Sequence, residues 1–407
     1  MRRDFSKRIK NMNTNQMIEE VEGAYLHTYN RYKIVLEKGE GVTLYDTDGR
    51  SYLDFGAGIA VMGIGYNHPR YNQALKDQID KLIHTSNLFY NVPGHNAALK
   101  LKEASGMDRV FFTNSGTEAI EGALKLAKKY ANSVGKKDYT IIAMEHSFHG
   151  RSLGALSVTG NEHYREPFEP LIPNVKFATF NDLSSVEALM DDNTACVIME
   201  SVQGEGGIYP AKKEFIEGVR ALCDKHNAFM ICDEIQCGMG RTGKMFAFQN
   251  YDVKPDIITV AKALGCGVPV GAFLCTQKAA TMVPGDHGTT YGGNPFVCSA
   301  VDVVLDIYKD EKILEHVCEV SPYLWDKLEE LKAKFSCIRD HRGMGLIQGL
   351  EFDSSVKSGD VVLAAQKQGL ILIGASQNTV RFVPPLVITK ADVDAMFNKL
   401  SVALSDI

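Results

Sequence analysis

The sequence predicts an α/β protein: a large domain with a mostly parallel central sheet flanked by helices, plus a smaller α+β domain built from both chain ends. Three observations carry this. Short apolar runs rich in Val, Ile and Phe recur at residues 109–113, 140–144, 196–199, 229–232, 257–260 and 270–275. They lack clean alternation, which fits strands buried on both faces. Helical stretches separate them, as parallel strands joined by crossovers require. Residues 61–295 are therefore assigned to the large domain. Residues 1–60 are read as an N-terminal contribution to the small domain, and 296–407 as its C-terminal part.

Taken in order, residues 41–55 (GVTLYDTDGRSYLDF) read as a β-hairpin, with Asp48-Gly49 as the turn. The run 109–113 leads into Asn114-Ser115-Gly116, and a helix leaves it. Ser115 and Glu118 fit a capping box, in which side chain and backbone bond each other reciprocally. Behind them Ile120, Leu124, Ala127 and Ala131 repeat at helical spacing. After residue 300 helices dominate, followed by a glycine-rich stretch at 342–349 and a strand-like piece near 380–383.

Composition excludes several classes. With 45% hydrophobic and 23% charged residues, the chain is ordinary for a folded, soluble protein and unlike a disordered, collagenous or coiled-coil one. A net charge of −6 gives no reason to expect nucleic acid or an anionic membrane as a partner. No apolar run approaches the ~18 residues of a membrane span. Residues 1–8 are basic, but no apolar signal region follows, so no secretion signal is read. Nine scattered cysteines without a C-x-x-C pair read as small core residues of a reduced, cytoplasmic protein.

In open α/β sheets, ligands bind beyond the carboxyl ends of the strands. Five predicted strands end in polar groups there. Asn114-Ser115-Gly116-Thr117 offers backbone N–H groups at a helix start and two hydroxyls, which is either an anion site or a plain helix cap. Residue 144 leads to Phe148-His149-Gly150-Arg151, and residue 199 to Glu200 and then Glu205. Residue 232 leads to Asp233-Glu234-Ile235-Gln236. A carboxylate closing an apolar strand needs a partner, which could be a protonated ring nitrogen, a metal or an arginine. Lys262 follows the apolar run 257–260. A lysine held there either snorkels to water or loses its proton and becomes a nucleophile toward carbonyls. Arg381, in an apolar setting, calls for a carboxylate from protein or substrate. Residues 238–244 imitate a phosphate loop, but Met245 stands where a hydroxyl would bind Mg²⁺, so a plain glycine loop is expected. His146 and His149 find no third ligand, and no metal site is expected.

As a set, in this order, these segments resemble the class III (ornithine-type, subgroup II) aminotransferases that depend on pyridoxal 5'-phosphate. The resemblance runs from about Tyr29 to Arg381 and beyond. It implies the type I fold of pyridoxal-phosphate transferases. Ser115, Gly116 and Thr117 match the phosphate cup, with Thr290 reaching it from a second subunit. Phe148 matches the ring-stacking residue. Glu200, Asp233, Glu234, Ile235 and Gln236 match cofactor-binding positions, Asp233 at the ring nitrogen and Gln236 at the phenolic oxygen. Lys262 matches the catalytic lysine that carries the cofactor and shuttles the proton. Arg151, helped by Thr289 of the other subunit, would hold the amino donor's carboxylate, and Tyr29 would line that pocket. Arg381 would bind the 2-oxo acid's carboxylate, with Glu205 covering it in the other half-reaction. A homodimer with shared active sites follows from that resemblance.

Within the family, Asp54-Phe55-Gly56-Ala57-Gly58-Ile59-Ala60-Val61, His84-Thr85-Ser86-Asn87, Gly285-Asp286-His287-Gly288 and Arg381-Phe382-Val383-Pro384-Pro385-Leu386 look most like members acting on N-acetylornithine. That implies amino transfer from N-acetylornithine to 2-oxoglutarate, giving N-acetylglutamate semialdehyde and glutamate for arginine biosynthesis. Donors such as ornithine, succinylornithine, succinyldiaminopimelate or 4-aminobutyrate are the alternative. Cys266, where relatives often have glycine, and Lys33, where many have proline, are departures that remove no catalytic group.

Overall fold

A computed structural model describes residues 12–405 and 407; the basic segment 1–8 lies outside the described residues. The N-terminal strands are β1 (Leu36–Glu40), β2 (Thr43–Asp46) and β3 (Ser51–Asp54). Next come β4 (Arg109–Thr113), β5 (Thr140–Met144), β6 (Val175–Ala178) and β7 (Thr194–Glu200). The short pair β8 (Val202–Gln203) and β9 (Tyr209–Pro210) precedes β10 (Phe229–Asp233), β11 (Ile257–Val260) and β12 (Gly271–Cys275). The C-terminal strands are β13 (Ile338–Met344), β14 (Ile347–Phe352), β15 (Leu370–Ile371), β16 (Ile373–Gly374) and β17 (Thr379–Phe382).

Seven strands form the central sheet in the order β4-β12-β11-β10-β7-β5-β6. Only β12 runs against its neighbours; the other contacts are parallel. Strands β5, β7, β10, β11 and β12 are buried along their whole length, which explains their unbroken apolar text. Edge strand β6, Val-Lys-Phe-Ala, was not among the expected strands: it is short, carries a lysine and is only half-buried. Among the described residues no helix is long and apolar enough to cross a membrane.

The helix Gly116–Ser133 begins where Ser115 accepts a hydrogen bond from Glu118 N at 3.3 Å. The return bond differs from the expected box. Glu118 Oε2 accepts from Asn114 N at 2.8 Å and Asn114 Nδ2 at 2.9 Å, one residue before the cap. Asn114 offers two donors at once and outcompetes the single N–H of Ser115. The helix buries Ile120, Ala123, Leu124 and Ala127 and comes so close to β12 that a Cβ on Gly122 would meet the Phe273 ring at 2.1 Å.

Two four-stranded sheets use the chain ends. The hairpin β2–β3 forms as expected, with Gly49 at φ +81° in its turn. It sits in the sheet β1-β2-β3-β15, whose last strand lies parallel to β3. The glycine-rich stretch 342–349 is a second hairpin, β13–β14, in the sheet β13-β14-β17-β16. Gly345 turns it at φ +60°, and a Cβ there would meet Arg241 O at 2.5 Å. Between β3 and the large sheet, Ala57, Gly58, Ile59 and Ala60 all have positive φ. This is one turn of left-handed helix, closed by Ala60 N→Gly56 O at 3.0 Å and Val61 N→Ala57 O at 2.8 Å. Each non-glycine residue in it costs about 1–2 kcal/mol. Asp54 offsets part of this by accepting from Gly56 N, Ala57 N and the Tyr66 hydroxyl.

Candidate active site

A cavity of about 450 Å³ opens beyond the carboxyl ends of the central strands. One wall is the start of the helix Gly116–Ser133, with Asn114, Ser115, Gly116 and Thr117 lining the cavity. Its N–H groups and positive dipole end suit an anion. At 116 a Cβ would lie 2.9 Å from Ile235 Cδ1, so any larger residue would have to push that side chain aside. Thr117 is steadied from behind: its Oγ1 lies 2.8 Å from Ser152 Oγ, and Ser152 N donates to it at 3.2 Å. Ser152 Oγ also donates to Glu121 Oε1 at 2.5 Å, and the same oxygen accepts from Gly154 N and Ala155 N. Glu121→Ala strands three donors. It is expected to lower stability by about 1–3 kcal/mol, read as a reduced denaturation midpoint at unchanged slope.

The opposite wall is built from acids and bases. Asp233 ends β10, almost fully buried. Its Oδ1 accepts from Ile235 N and Thr259 Oγ1, both at 3.0 Å, and its Oδ2 accepts from His149 Nδ1 at 2.7 Å. Oδ2 keeps a lone pair for one further donor. Glu200, the end of β7, accepts from Phe148 N and Gly204 N at 3.0 Å each. Burial pushes its carboxyl up to about 7.

Lys262 sits beyond β11 in the left-handed region at φ +48° and lines the same cavity. Burial pushes its amine below the usual lysine range; Arg381 adds to that push, against Glu205, Asp233 and Glu200. A lysine shifted this way gains neutral amine, the nucleophilic form.

Arg381, in the middle of β17, is 2% exposed. Its Nη1 donates to Glu205 Oε1 at 2.8 Å and to Gln236 Oε1 at 2.7 Å, and Nη2 donates to Gly374 O at 3.1 Å. Burial alone would raise Glu205, but Arg381 outweighs it and holds the carboxyl below the usual range. Gln236 lines the cavity, while Arg381 and Glu205 stand behind it. Since guanidinium only donates, Oε1 of Gln236 must face Arg381, leaving Nε2 as its remaining donor.

Comparison with known proteins places this arrangement. The family described as class-III aminotransferase matches residues 24–404. The chain belongs to the class III aminotransferases. An acetylornithine aminotransferase of Clostridium acetobutylicum is 48% identical over 372 residues, covering 91% of this chain and 96% of that protein. A succinylornithine transaminase of Yersinia enterocolitica is 42% identical over 391 residues, covering 93% and 94%. The crystal structure of the ornithine aminotransferase from Toxoplasma gondii superposes with a TM-score of 0.94 at 31% identity, covering 99% of this chain and 97% of that one.

Within this aminotransferase, the cavity gathers Ser115, Gly116, Thr117, Phe148, Arg151, Glu200, Asp233, Ile235, Gln236 and Lys262 from five strand ends. Other expected site residues are placed differently. Glu234 turns away from the cavity, as the residue after Asp233 must when side chains alternate. It accepts from Ser201 Oγ, Ala247 N and Phe248 N, and burial pushes it up to about 7; its part is to hold the following loop. Tyr29 is 71% exposed and lines a neighbouring cavity with Asp54 and Ile59, outside the main one. Thr290 is exposed. Thr289 Oγ1 accepts from Asn114 Nδ2 and Gly292 N, and neither threonine lines this chain's cavity.

The loop 238–244 is no phosphate loop, since it runs into a short 3₁₀ turn (Ala247–Asn250) instead of a helix start. Three residues were not singled out for the roles they take. His149 and Thr259 hold Asp233, and the Tyr164 ring lies 3.6 Å from the Arg151 guanidinium. For His149 a signal existed, a histidine beside Phe148; for Tyr164, thirteen residues past Arg151, none did. Cys232 and Cys266 are buried. Burial pushes the Cys266 thiol up to about 11 and Cys232 well above its usual value, so neither is a ready thiolate.

Proposed function

We propose that this aminotransferase uses pyridoxal 5'-phosphate to move an amino group from N-acetylornithine to 2-oxoglutarate. The observation that carries the cofactor is one cavity holding a lysine with a lowered pKa, a buried carboxylate with an open lone pair, and the start of the helix Gly116–Ser133. Those groups match the cofactor's aldehyde, ring nitrogen and phosphate, and the volume lies in the range of cofactor pockets. Likeness to acetylornithine aminotransferase along almost the whole chain supports the donor. Succinylornithine is the second reading, supported by the Yersinia enterocolitica relative.

Bound there, pyridoxal phosphate supplies the carbonyl that takes up the amino group and a ring that accepts the electron pair left when a C–H proton departs. Lys262 Nζ would take that proton and give it back, which requires it neutral at working pH. Asp233 Oδ2 accepts the ring N–H and keeps it protonated. Ser115, Gly116 and Thr117 hold the phosphate, Phe148 covers a ring face, and Gln236 donates to the phenolic oxygen. Glu200 orients Phe148 through its backbone N–H. Arg151 takes the donor's carboxylate. Arg381 takes one from 2-oxoglutarate after Glu205 releases it; while Glu205 is paired, the cation is hidden.

The reading includes a symmetric homodimer in which Thr289 and Thr290 serve the other subunit's site. It also includes the division into a large domain at 61–295 and a small domain from 1–60 and 296–407, in a cytoplasmic enzyme. The test is a visible spectrum of the purified protein, before and after N-acetylornithine is added without any oxo acid. A yellow band that bleaches is expected. A band indifferent to N-acetylornithine but bleached by succinylornithine selects the second reading. No band, even after pyridoxal phosphate is supplied, overturns the cofactor.

A further inference from the structure

Arg241 is a buried cation that the reaction does not use. It is 1% exposed and stands in the glycine loop five residues after Gln236. Among the described residues no carboxylate pairs with it. Its Nη1 donates to Leu346 O at 3.2 Å and to Pro384 O, and its Nη2 has no partner. Its own carbonyl accepts from Leu346 N at 2.8 Å. Burial lowers its pKa only to about 10, so the side chain stays charged at neutral pH. A charge held in the core by neutral carbonyls alone is expensive, and apolar packing would fill the space more favourably.

The two carbonyls share one property: both belong to the frame that carries Arg381. Pro384 follows β17 three residues after Arg381. Leu346 immediately precedes β14, whose Gly349 stands opposite Arg381 in the ladder. Gln236, at the other end of the Arg241 loop, accepts from the Arg381 side chain at 2.7 Å. One loop thus grips the arginine's head through Gln236 and its strand through Arg241. Both carbonyls accept from one nitrogen, Nη1, so an ammonium, with three donors of its own, can replace this grip in part.

We propose that Arg241 is a positioning residue for Arg381, fixing where the carboxylate-binding guanidinium stands relative to Gln236 and Glu205. This rests on the reading that Arg381 receives the oxo acid. The predicted consequence is selective: displaced Arg381 weakens 2-oxoglutarate recognition and leaves the chemistry at Lys262 intact.

The experiment measures the two half-reactions of the cofactor-loaded enzyme separately, by single-turnover absorbance with N-acetylornithine and with 2-oxoglutarate. For R241M, the 2-oxoglutarate concentration giving half-maximal rate should rise about tenfold, the equivalent of about 1.4 kcal/mol. R241K should recover part of that rise. The donor half-reaction should stay within about twofold, since only an ordinary hydrogen-bonding loss remote from it is involved. A purely structural role would lower the melting temperature and shift both half-reactions by the same factor; that result, or no shift in either, overturns the proposal. Should R241M fail to fold, R241K alone decides on the same criterion. R381A is the control. If it spares the oxo-acid half-reaction, the reading of Arg381 has failed; if it is selective and the Arg241 variants are not, the inference has.

Discussion

Lys262→Ala is expected to abolish amino-group transfer while the protein stays folded. In the proposed mechanism the side chain is a nucleophile and a proton carrier at once, so one truncation removes both roles. Proton transfer by a positioned group alone accounts for about 10²–10⁴ in rate, and loss of the covalent hold on the cofactor adds to it. Folding should survive, because burial already disfavours the charged form of this amine and removing it relieves that cost. Steady-state turnover, the visible spectrum and a thermal melt check this together. Full turnover in the variant would overturn the mechanism.

Arg381→Ala has the second largest expected effect, and it should be lopsided. Charge-assisted hydrogen bonds contribute about 1.5–3 kcal/mol each, so losing a bidentate grip on a carboxylate costs about a hundredfold or more in 2-oxoglutarate half-saturation. In the proposed donor half-reaction Arg381 stays paired with Glu205, as it is here at 2.8 Å, and takes no substrate carboxylate, so the loss there should be far smaller. Released Glu205 is part-exposed and can turn to water, which limits the penalty of unpairing it. Half-reaction kinetics with each substrate alone are the check. Equal damage to both halves would sink the switch.

The inner strands of the central sheet were legible because they are buried on both faces and so carry unbroken apolar text. Edge strand β6, half-exposed and carrying Lys176, had no such mark. Residues that face the cavity were legible because they end strands: Asp233 and Lys262 interrupt apolar text where water should be absent. Their supports were not. His149 reaches Asp233 from the loop after β5 and Thr259 from the neighbouring strand β11; the histidine beside Phe148 is a weak signal, and Thr259 carries none. Glu234 lies outside the cavity lining for a geometric reason, since adjacency to Asp233 in sequence means the opposite face in space. The left-handed turn at 57–60 was illegible as well. Three of its four residues are alanine or isoleucine, which advertise no positive φ. Asp54, three residues upstream of the turn, supplies the bonds that sustain it.

The parallel pairing of β3 with β15 has a consequence in time. Leu53 finds its partner Leu370 only roughly 300 residues later. At about 5–20 residues per second, the ribosome takes about a quarter of a minute to a minute to deliver it. Through that interval the N-terminal hairpin waits with the Leu53 side of its ladder open, while the whole central sheet emerges and can close. An unpaired edge of this kind invites pairing with another nascent chain. The hairpin edge therefore stays open to such pairing until Leu370 and Ile371 have emerged.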